Sequence, residues 1–316
     1  MSPNKTAVVA LGGNAITRAG EEDTIYRQFA NTRRSLDGIV ELVREGYNLV
    51  VTHGNGPQVG NALLRCELSR GKAPELPLGV LVADTEGGMG YMIEQSLQNR
   101  LRAENINRPV VTIITQMLCD EKDPATHNPT IFIGQFYSEE QAKQYAESLG
   151  WQMKTDSKRG WRRVVPSPVP YKAVESETIK MLVENGTIVI AGGGGGIPIY
   201  IDENGNYEGI DAVIDKDLGS AVIAREIGAG ILSILTDVER VALNYGKPDQ
   251  EELDKVTLSE IREYHHQGHF PAGSMGPKIE AAIKFLEDGG QLVTITSLDN
   301  AYRVVRGEAG TRIVPD

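Results

Sequence analysis

The chain has 316 residues, a formal net charge of −11, 35 glycines and two cysteines. The negative charge argues against broad nucleic-acid binding, which needs a positive surface, and no apolar run approaches the roughly 20 residues of a membrane-spanning helix. Cys66 and Cys119 fit neither a zinc-ligand spacing nor a disulfide framework, and the residues after Met1 carry no secretory signal. These features predict a cytoplasmic protein with reduced thiols.

Short apolar runs of strand character alternate with segments of helical periodicity along the chain. Strands are predicted at residues 7–11, 48–52, 110–115, 187–191, 231–235 and 292–296. Helices are predicted at residues 24–45, 57–70, 88–104, 174–185, 216–227, 257–267 and 277–287. Residues 203–206 separate two short β runs and indicate a hairpin. The alternation predicts an α/β fold, with a mostly parallel sheet and helices on both faces.

Residues 119–165 interrupt this alternation. They are mostly polar, contain Pro124 and Pro129, and end in the basic run 158–163. Such a segment is either an inserted subdomain over a site or an ordinary surface excursion. We favour an inserted, protruding subdomain at 119–165 within one domain that spans residues 1–316.

Three glycine-rich loops directly follow predicted strands, at residues 11–14, 52–60 and 192–196. The carboxyl ends of parallel strands meet at one edge of a sheet, where α/β proteins bind ligands. Glycine there lets phosphate oxygens approach backbone N–H groups. A lone glycine pair is usually only a turn, and a five-glycine run also occurs in flexible linkers. Three loops at one edge, however, predict a phosphate site.

Two lysines lie at predicted helix starts, where a positive charge opposes the helix dipole. Lys216 follows the apolar residues 212–214, and Lys278 comes directly after Gly276 and Pro277. A solvated surface position is the commonest role of a lysine, but these two positions favour a bound anion. Asp217 is placed to orient Lys216 and to help hold Mg²⁺, which takes a few carboxylates together with substrate phosphates.

The signatures of other nucleotide-binding enzymes are missing. There is no G-x-x-x-x-G-K-[ST] loop, and Gly54, Gly56 and Gly60 differ by one residue from the dinucleotide-binding fingerprint. No pair of nucleophile and base stands out, because His53 is the one histidine in a candidate loop and a structural role is at least as common for it. Phosphoryl transfer to an anionic acceptor needs no general base, only positioning and neutralisation of charge.

Seven segments, spread over nearly the whole chain, follow the pattern of one known family. They lie at residues 8–15, 53–61, 160–168, 192–198, 212–217, 244–248 and 268–278. On these motifs the sequence resembles the carbamate kinases of the amino-acid-kinase family. The resemblance implies a three-layer αβα sandwich, a homodimer, and reversible phosphoryl transfer between ATP and carbamate that gives ADP and carbamoyl phosphate.

The same resemblance implies roles for individual residues. The implied substrate-binding residues are Gly12, Gly13, Asn14, Gly54, Asn55 and Gly56. The implied nucleotide-binding residues are Gly194, Lys216, Thr236, Asp237, Tyr245, Met275 and Lys278. The implied catalytic residues are Lys216, Asp217 and Lys278. The implied partners are ATP or ADP with Mg²⁺, carbamate or carbamoyl phosphate, and a second copy of the chain, with no nucleic acid and no membrane.

Two positions depart from the family pattern. Ile131 stands where the family has a lysine that reaches the substrate, so either a nearby cation replaces it, or activity is weak, or the substrate differs. The candidates are Lys154, Lys158, Arg159 and Arg162. Glu86 stands where relatives usually have Gln, and its charge would oppose an anionic substrate if it faced the site. Two alternatives therefore stay open at this point: a kinase of the same fold for another small acid or carbamoyl compound, and a non-catalytic nucleotide-binding protein.

Overall fold

The structure, a computed structural model, describes residues 5–17, 24–156, 160–271 and 273–316, apart from the side chains of Asn14 and Gln135. The strands of this part are β1 (Thr6–Leu11), β2 (Asn48–His53), β3 (Val110–Thr112), β4 (Gln116–Cys119), β5 (Ile131–Tyr137), β6 (Met153–Thr155), β7 (Trp161–Val165), β8 (Pro170–Ala173), β9 (Ile188–Ile190), β10 (Ile197–Ile201), β11 (Tyr207–Gly209), β12 (Ile231–Thr236), β13 (Ala242–Leu243), β14 (Glu251–Glu252), β15 (Lys255–Thr257), β16 (Leu292–Ser297) and β17 (Thr311–Val314). The helices are α1 (Ile25–Ser35), α2 (Asp37–Arg44), α3 (Gly56–Leu68), α4 (Leu78–Ala103), α5 (Glu139–Leu149), α6 (Ser176–Glu184), α7 (Lys216–Glu226), α8 (Leu258–His266), α9 (Met275–Glu287) and α10 (Ala301–Val305).

The main sheet has the strand order β15-β17-β16-β12-β1-β2-β9-β3. Its strands pair in parallel, except that β16 and β17 are antiparallel. A second sheet, β11-β10-β4-β8, contains the hairpin predicted around residues 203–206, since β10 and β11 pair antiparallel. The predicted α/β class is confirmed.

Helices cover both faces of the main sheet and make three layers. Alternate residues of β1 point to opposite faces: Val8 packs with α7, α8 and α9, whereas Val9 packs with α1, α2 and α4. Both side chains are fully buried, as expected for a strand covered on both sides. In the described part of the chain, no helix combines the length and apolar character needed to cross a membrane.

Three predicted elements differ from the structure. The helix predicted at 24–45 is two helices that meet at Leu36. The helix predicted at 88–104 begins ten residues earlier, at Leu78, because Leu81, Val82 and Met89 bury their side chains on one packed face. The strand predicted at 110–115 ends at Thr112, and the chain then enters β4 of the second sheet.

The inserted segment builds its own antiparallel sheet, β5-β7-β6, with α5. This sheet packs on α3 and α4 through an apolar cluster that includes Val59, Leu81, Ile133 and Trp151. The division of the chain into a main domain and a subdomain at 119–165 stays a prediction, but the contact with α3 connects the segment to the helix that begins at the second glycine loop.

Candidate active site

The carboxyl ends of three neighbouring strands, β12, β1 and β2, meet at one edge of the main sheet. Leu11 in β1 is level with Leu235 in β12 and with His53 in β2. Gly12 and Gly54 follow directly, and the N–H of Gly54 donates to the carbonyl oxygen of Leu11 at 3.1 Å. The first two glycine loops therefore lie side by side at the edge where open parallel sheets bind ligands.

Close packing explains why glycine occupies these two turns. A Cβ added at Gly12 would lie 2.8 Å from the carbonyl oxygen of Leu235. A Cβ added at Gly54 would lie 3.3 Å from Cδ of Lys216 and 3.8 Å from the backbone nitrogen of Gly13. The turns thus place Gly54 beside both Gly13 and the aliphatic chain of Lys216. Asn14 lies in the short turn Gly13–Ala15 that follows.

A carboxylate between two lysines forms the charged centre of the site. Lys216 and Asp217 begin α7, and Lys278 lies in the first turn of α9. Nζ of Lys216 contacts Oδ1 of Asp217, while Nζ of Lys278 donates to Oδ2 of Asp217 at 3.2 Å and to the carbonyl oxygen of Ser274 at 3.3 Å. The exposed fractions of the three side chains are 13% for Lys216, 3% for Asp217 and 16% for Lys278.

The protonation states follow from these neighbours. Burial by itself would raise the pKa of the Asp217 carboxyl, but the charges and hydrogen bonds of Lys216 and Lys278 hold that pKa below its ordinary value. Asp217 is therefore ionised at neutral pH and cancels one of the two lysine charges. Asp215 caps α7 by accepting from the N–H of Asp217 at 2.8 Å, and burial together with the Asp217 charge raises its pKa. The trio of Lys216, Asp217 and Lys278 carries one net positive charge for an anion.

A cavity of about 440 Å³ opens beside the trio. Its walls include the predicted residues Gly12, Gly13, Lys216, Thr236, Asp237, Tyr245, Met275 and Lys278. Helices α7 and α9 both begin there, so the positive ends of their dipoles add to the attraction for phosphate. The volume is within the range of cofactor and small-molecule sites.

The third glycine loop lies at the same sheet edge as predicted, since β9 pairs in parallel with β2, but none of its residues is among the walls of the cavity. Residues 192–196 are buried, so this run is not a flexible linker. Gly194 has a φ of 66°, and a Cβ added there would lie 2.2 Å from Nδ2 of Asn55. A Cβ added at Gly195 would lie 2.5 Å from the carbonyl oxygen of Ile214. Gly194 thus packs against a predicted substrate-binding residue, and its predicted nucleotide contact has no counterpart in the walls of the cavity.

Asn55 and His53 are held by hydrogen bonds within the second glycine loop. Nδ2 of Asn55 donates to Oγ1 of Thr85 at 2.9 Å. Nδ1 of His53 lies 3.2 Å from the carbonyl oxygen of Gly54. Burial lowers the pKa of His53 to about 4, so the imidazole is neutral at neutral pH and serves structure rather than proton transfer. Gly56 begins α3 directly after Asn55.

Comparison with known proteins agrees with this geometry. The amino acid kinase family matches residues 5–297. The carbamate kinase of Pyrococcus horikoshii is 48% identical over 310 residues, 98% of each chain, and that of Thermococcus kodakarensis is 49% identical over 313 residues, 98% of this chain and 99% of the other. A solved structure of carbamate kinase from Giardia lamblia bound to AMP-PNP matches with a TM-score of 0.91 at 44% identity, over 100% of both chains. The chain belongs to the amino acid kinase family, among its carbamate kinases.

Two positions of this carbamate kinase family member depart from the family pattern, Ile131 and Glu86. Neither residue lies in the walls of the 440 Å³ cavity. Ile131 begins β5 and packs against the apolar cluster below the inserted sheet. Nζ of Lys154 donates to the carbonyl oxygen of Pro129 at 2.7 Å, close to Ile131 in sequence, whereas Arg162 pairs with Asp156 at 3.1 Å. Two further candidate cations lie outside the described residues, Lys158 and Arg159.

Glu86 is buried, with 1% of its surface exposed. Oε2 of Glu86 accepts from the N–H of Thr115 at 2.8 Å. It is absent from the walls of the 440 Å³ cavity. The expected repulsion of an anionic substrate by direct contact therefore does not arise.

Some residues of this kinase site were not predicted from the sequence. Oγ of Ser220 donates to the carbonyl oxygen of Lys216 at 2.6 Å, so Oγ1 of Thr52, 2.6 Å from Oγ of Ser220, is the donor in their contact. This buried pair connects the end of β2 to the first turn of α7. Cavity walls that the sequence analysis did not assign include Val238, Arg240, Ala242, Phe270, Pro271 and Ser274. Phe270, Pro271 and Ser274 fall inside the 268–278 motif, which could have identified them.

Proposed function

We propose that this protein is a carbamate kinase, which transfers the γ-phosphoryl group of ATP to carbamate and, in reverse, makes ATP from ADP and carbamoyl phosphate. The observation that carries the proposal is the buried Lys216–Asp217–Lys278 trio, placed between two glycine turns and a nucleotide-sized cavity. Full-length relatives at 48% and 49% identity that are named carbamate kinase support it. A relative of known structure binds AMP-PNP.

In the proposed reaction, an oxygen of carbamate forms a bond to the γ-phosphorus while the bond from that phosphorus to the bridging oxygen of ADP breaks. Carbamate is already an anion, so no base has to remove a proton. Lys216 and Lys278 neutralise the charge that spreads over the transferred oxygens, and Asp217 keeps both ammonium groups in place. The turns at Gly12–Asn14 and Gly54–Gly56 hold carbamate and the transferred group through backbone N–H groups.

The nucleotide is assigned to the 440 Å³ cavity. Oγ1 of Thr236 donates to Oδ1 of Asp237 at 3.1 Å, and both residues lie in its walls with Tyr245 and Met275. We assign base and ribose contacts to these four residues and phosphate contacts to Lys216 and Lys278. Gly194 acts on this site indirectly, by fixing Asn55.

Magnesium enters with the nucleotide in this proposal. Within the described residues, no group of three or more His, Cys, Asp and Glu side chains could hold a metal ion. That composition suits Mg²⁺, which is commonly bound by substrate phosphates, water and one or two carboxylates rather than by a protein cage. Mg²⁺ is therefore written here as part of the MgATP substrate.

We also propose a homodimer located in the cytoplasm. Helices α1 and α4 and the chain between α3 and α4 leave large apolar side chains exposed, including Ile25, Leu76, Val80 and Tyr91. A surface of this kind commonly marks a contact with another chain. Cys66 and Cys119 are both free thiols, in keeping with a reducing compartment. Light scattering on the purified protein is expected to give a mass twice the 34.4 kDa of one chain, and a mass of one chain at micromolar concentration would contradict the dimer.

A coupled assay of ATP formation from MgADP and carbamoyl phosphate tests the proposed reaction. We expect saturable turnover that requires both substrates and Mg²⁺. Acetyl phosphate in place of carbamoyl phosphate is the control for acceptor identity and is expected to react much more slowly. Binding of MgADP without turnover of carbamoyl phosphate would contradict the proposal.

A further inference from the structure

Two buried hydroxyl groups connect the end of β2 to the backbone of Lys216. Thr52 in β2 is 0% exposed and Ser220 in α7 is 1% exposed. Their hydroxyl oxygens lie 2.6 Å apart, and Oγ of Ser220 donates to the carbonyl oxygen of Lys216 at 2.6 Å. A carbonyl oxygen can only accept, so the one hydroxyl proton of Ser220 is used there and Thr52 donates to Ser220. The hydrogen bonds therefore run in one direction, from Thr52 through Ser220 to Lys216.

The same strand end contacts Lys216 at a second point. Gly54 follows two residues after Thr52, and a Cβ added at Gly54 would lie 3.3 Å from Cδ of Lys216. The hydroxyl groups thus hold the backbone of this lysine, while the turn at Gly54 packs on its aliphatic chain. Nζ at the far end of the side chain contacts Asp217. Together these contacts define where the ammonium group lies relative to the substrate turn.

Apolar packing does not account for a hydroxyl at the end of β2. Val50, on the same face of β2 as Thr52, packs in the apolar cluster that also contains Ala221 and Val222 of α7. A valine at position 52 would have the shape of threonine and would continue this apolar contact. A hydroxyl, by contrast, is tolerated at such a buried position only when it is hydrogen-bonded. The specific contribution of Thr52 is therefore a directional hydrogen bond.

A second hydroxyl pair in the main sheet provides a contrast. Oγ1 of Thr294 in β16 donates to Oγ of Ser233 in β12 at 2.9 Å, and both residues are buried. Within the residues that the structure describes, this pair has no hydrogen bond to the trio, and neither residue lies in the walls of the 440 Å³ cavity. The two pairs share their chemistry and their burial, and they differ in the connection to Lys216.

We propose that Thr52 and Ser220 are positioning residues for phosphoryl transfer, which fix the backbone of Lys216 against the end of β2 and so set the distance from its ammonium group to the substrate turn. Both residues act through Lys216. Their effect on turnover rests on the proposed carbamate kinase reaction, whereas their effect on the position of Lys216 does not. A small displacement of a charge that stabilises a transition state lowers the rate strongly, because the stabilisation depends on preorganised geometry.

Thr52→Val removes the donor and keeps the shape of the side chain. We expect kcat in the coupled assay to fall about tenfold. KM for MgADP should change by less than about twofold, because the cavity walls at Thr236, Tyr245 and Met275 are untouched. Thr52→Ser keeps the hydroxyl and should retain kcat within about twofold of the wild type.

Thr294→Val is the matched control, because it removes the same kind of buried hydrogen bond from the same sheet. The two valine variants are expected to change the melting temperature by similar amounts, but the control should keep the kcat of the wild type. Equal kcat values for Thr52→Val and Thr294→Val would overturn the proposal, since the hydroxyl of Thr52 would then contribute to stability alone.

Ser220→Ala tests the same connection if Thr52→Val does not fold. It removes both hydrogen bonds, so kcat should fall at least as far as in Thr52→Val. The double variant should lose no more than Ser220→Ala alone, because both substitutions interrupt one series of hydrogen bonds. Losses that multiply would show that the two residues act separately and would contradict the proposal.

A measurement that needs no turnover separates this inference from the proposed reaction. In protein labelled with ¹⁵N-lysine, the ammonium signal of Lys216 is assigned by its absence from Lys216→Arg. That signal should shift in Thr52→Val and keep its wild-type position in Thr294→Val. An unshifted signal in Thr52→Val would overturn the proposal, whether or not the protein turns over carbamoyl phosphate. A shifted signal in a protein without carbamoyl phosphate turnover would support the positioning role and count against the proposed function alone.

Discussion

Asp217 is the residue on which the charge balance of the site depends. Its side chain is 3% exposed and contacts both Lys216 and Lys278. The two lysines are 62 positions apart in the chain. Their local sequences could indicate an anion site at each helix start, but they could not indicate that one carboxylate would contact both lysines. The packing of α7 against α9 brings them together. Removing either lysine leaves Asp217 with a single lysine partner and, in the proposed reaction, takes away one of the two positive charges next to the transferred phosphoryl group.

We therefore expect Lys216→Ala and Lys278→Ala each to lower turnover at least tenfold, which corresponds to about 1.4 kcal/mol of lost transition-state stabilisation. Lys284→Ala is the matched control, because Lys284 is exposed on the same helix as Lys278 and is absent from the walls of the cavity. The coupled assay measures all three variants. Near-wild-type turnover of either active-site variant would remove that lysine from the mechanism.

Among the elements, the third glycine loop has a packing role that the sequence did not indicate. The sequence predicted that residues 192–196 surround phosphate. In the structure the loop packs tightly under the substrate turn, with φ values of 59° at Gly192, 66° at Gly194, 96° at Gly195 and 95° at Gly196. Residues other than glycine rarely adopt such φ values. The backbone conformation therefore requires glycine in this loop, and at Gly194 the close contact with Asn55 requires it as well.

Gly194→Ala should consequently displace Asn55, because the added Cβ would lie 2.2 Å from Nδ2 of that residue. We expect at least a tenfold loss of kcat/KM for carbamoyl phosphate, together with a loss of stability. Gly205→Ala is the control: its φ of 85° imposes a similar backbone cost of about 1 kcal/mol, but nothing lies within 4 Å of the added Cβ. The control is expected to lose stability while it retains kcat/KM, and equal kinetic losses in both variants would show that backbone strain alone explains the effect.

The start of helix α4 could not be predicted from local sequence preferences. Its segment 84–90 contains four residues that do not favour helices, Thr85, Gly87, Gly88 and Gly90, and the predicted helix covered only the part of this segment from residue 88. The structure continues the helix from Leu78 because Leu81, Val82 and Met89 are buried. A Cβ added at Gly90 would lie 2.3 Å from Cγ2 of Thr112. Burial and close helix–strand approach outweigh a propensity cost of about 1 kcal/mol per glycine.

At the scale of the whole molecule, one backbone contact connects the inserted segment to the active site. Gly60 of α3 lies against Gly134 of β5, and a Cβ added at Gly60 would lie 2.0 Å from Cα of Gly134. Helix α3 begins at Gly56 in the substrate turn. The position of the β5-β7-β6 sheet is therefore mechanically connected to the turn that we assign to carbamate.

Gly60→Ala is expected to lower the free energy of unfolding by about 1–3 kcal/mol, because the obstructing atoms are backbone and β5 must move. It should also raise KM for carbamoyl phosphate more than it lowers kcat. Gly88→Ala is the control within a helix: it meets nothing within 4 Å and should raise the free energy of unfolding by about 0.5–1 kcal/mol. Urea unfolding measures both, and a stabilised Gly60→Ala variant would contradict the close contact.

The sequence by itself determined the α/β class, the glycine turns after β1 and β2, and the lysines at two helix starts, because each of these depends on local periodicity or on backbone freedom at a few residues. Only the tertiary structure decided that Lys216 and Lys278 share Asp217 and that Gly194 packs against Asn55. The physical reason is distance along the chain: Asp217 and Lys278 are 61 positions apart and Asn55 and Gly194 are 139 positions apart, and only the order of strands in the main sheet and the packing of helices on it bring such residues together.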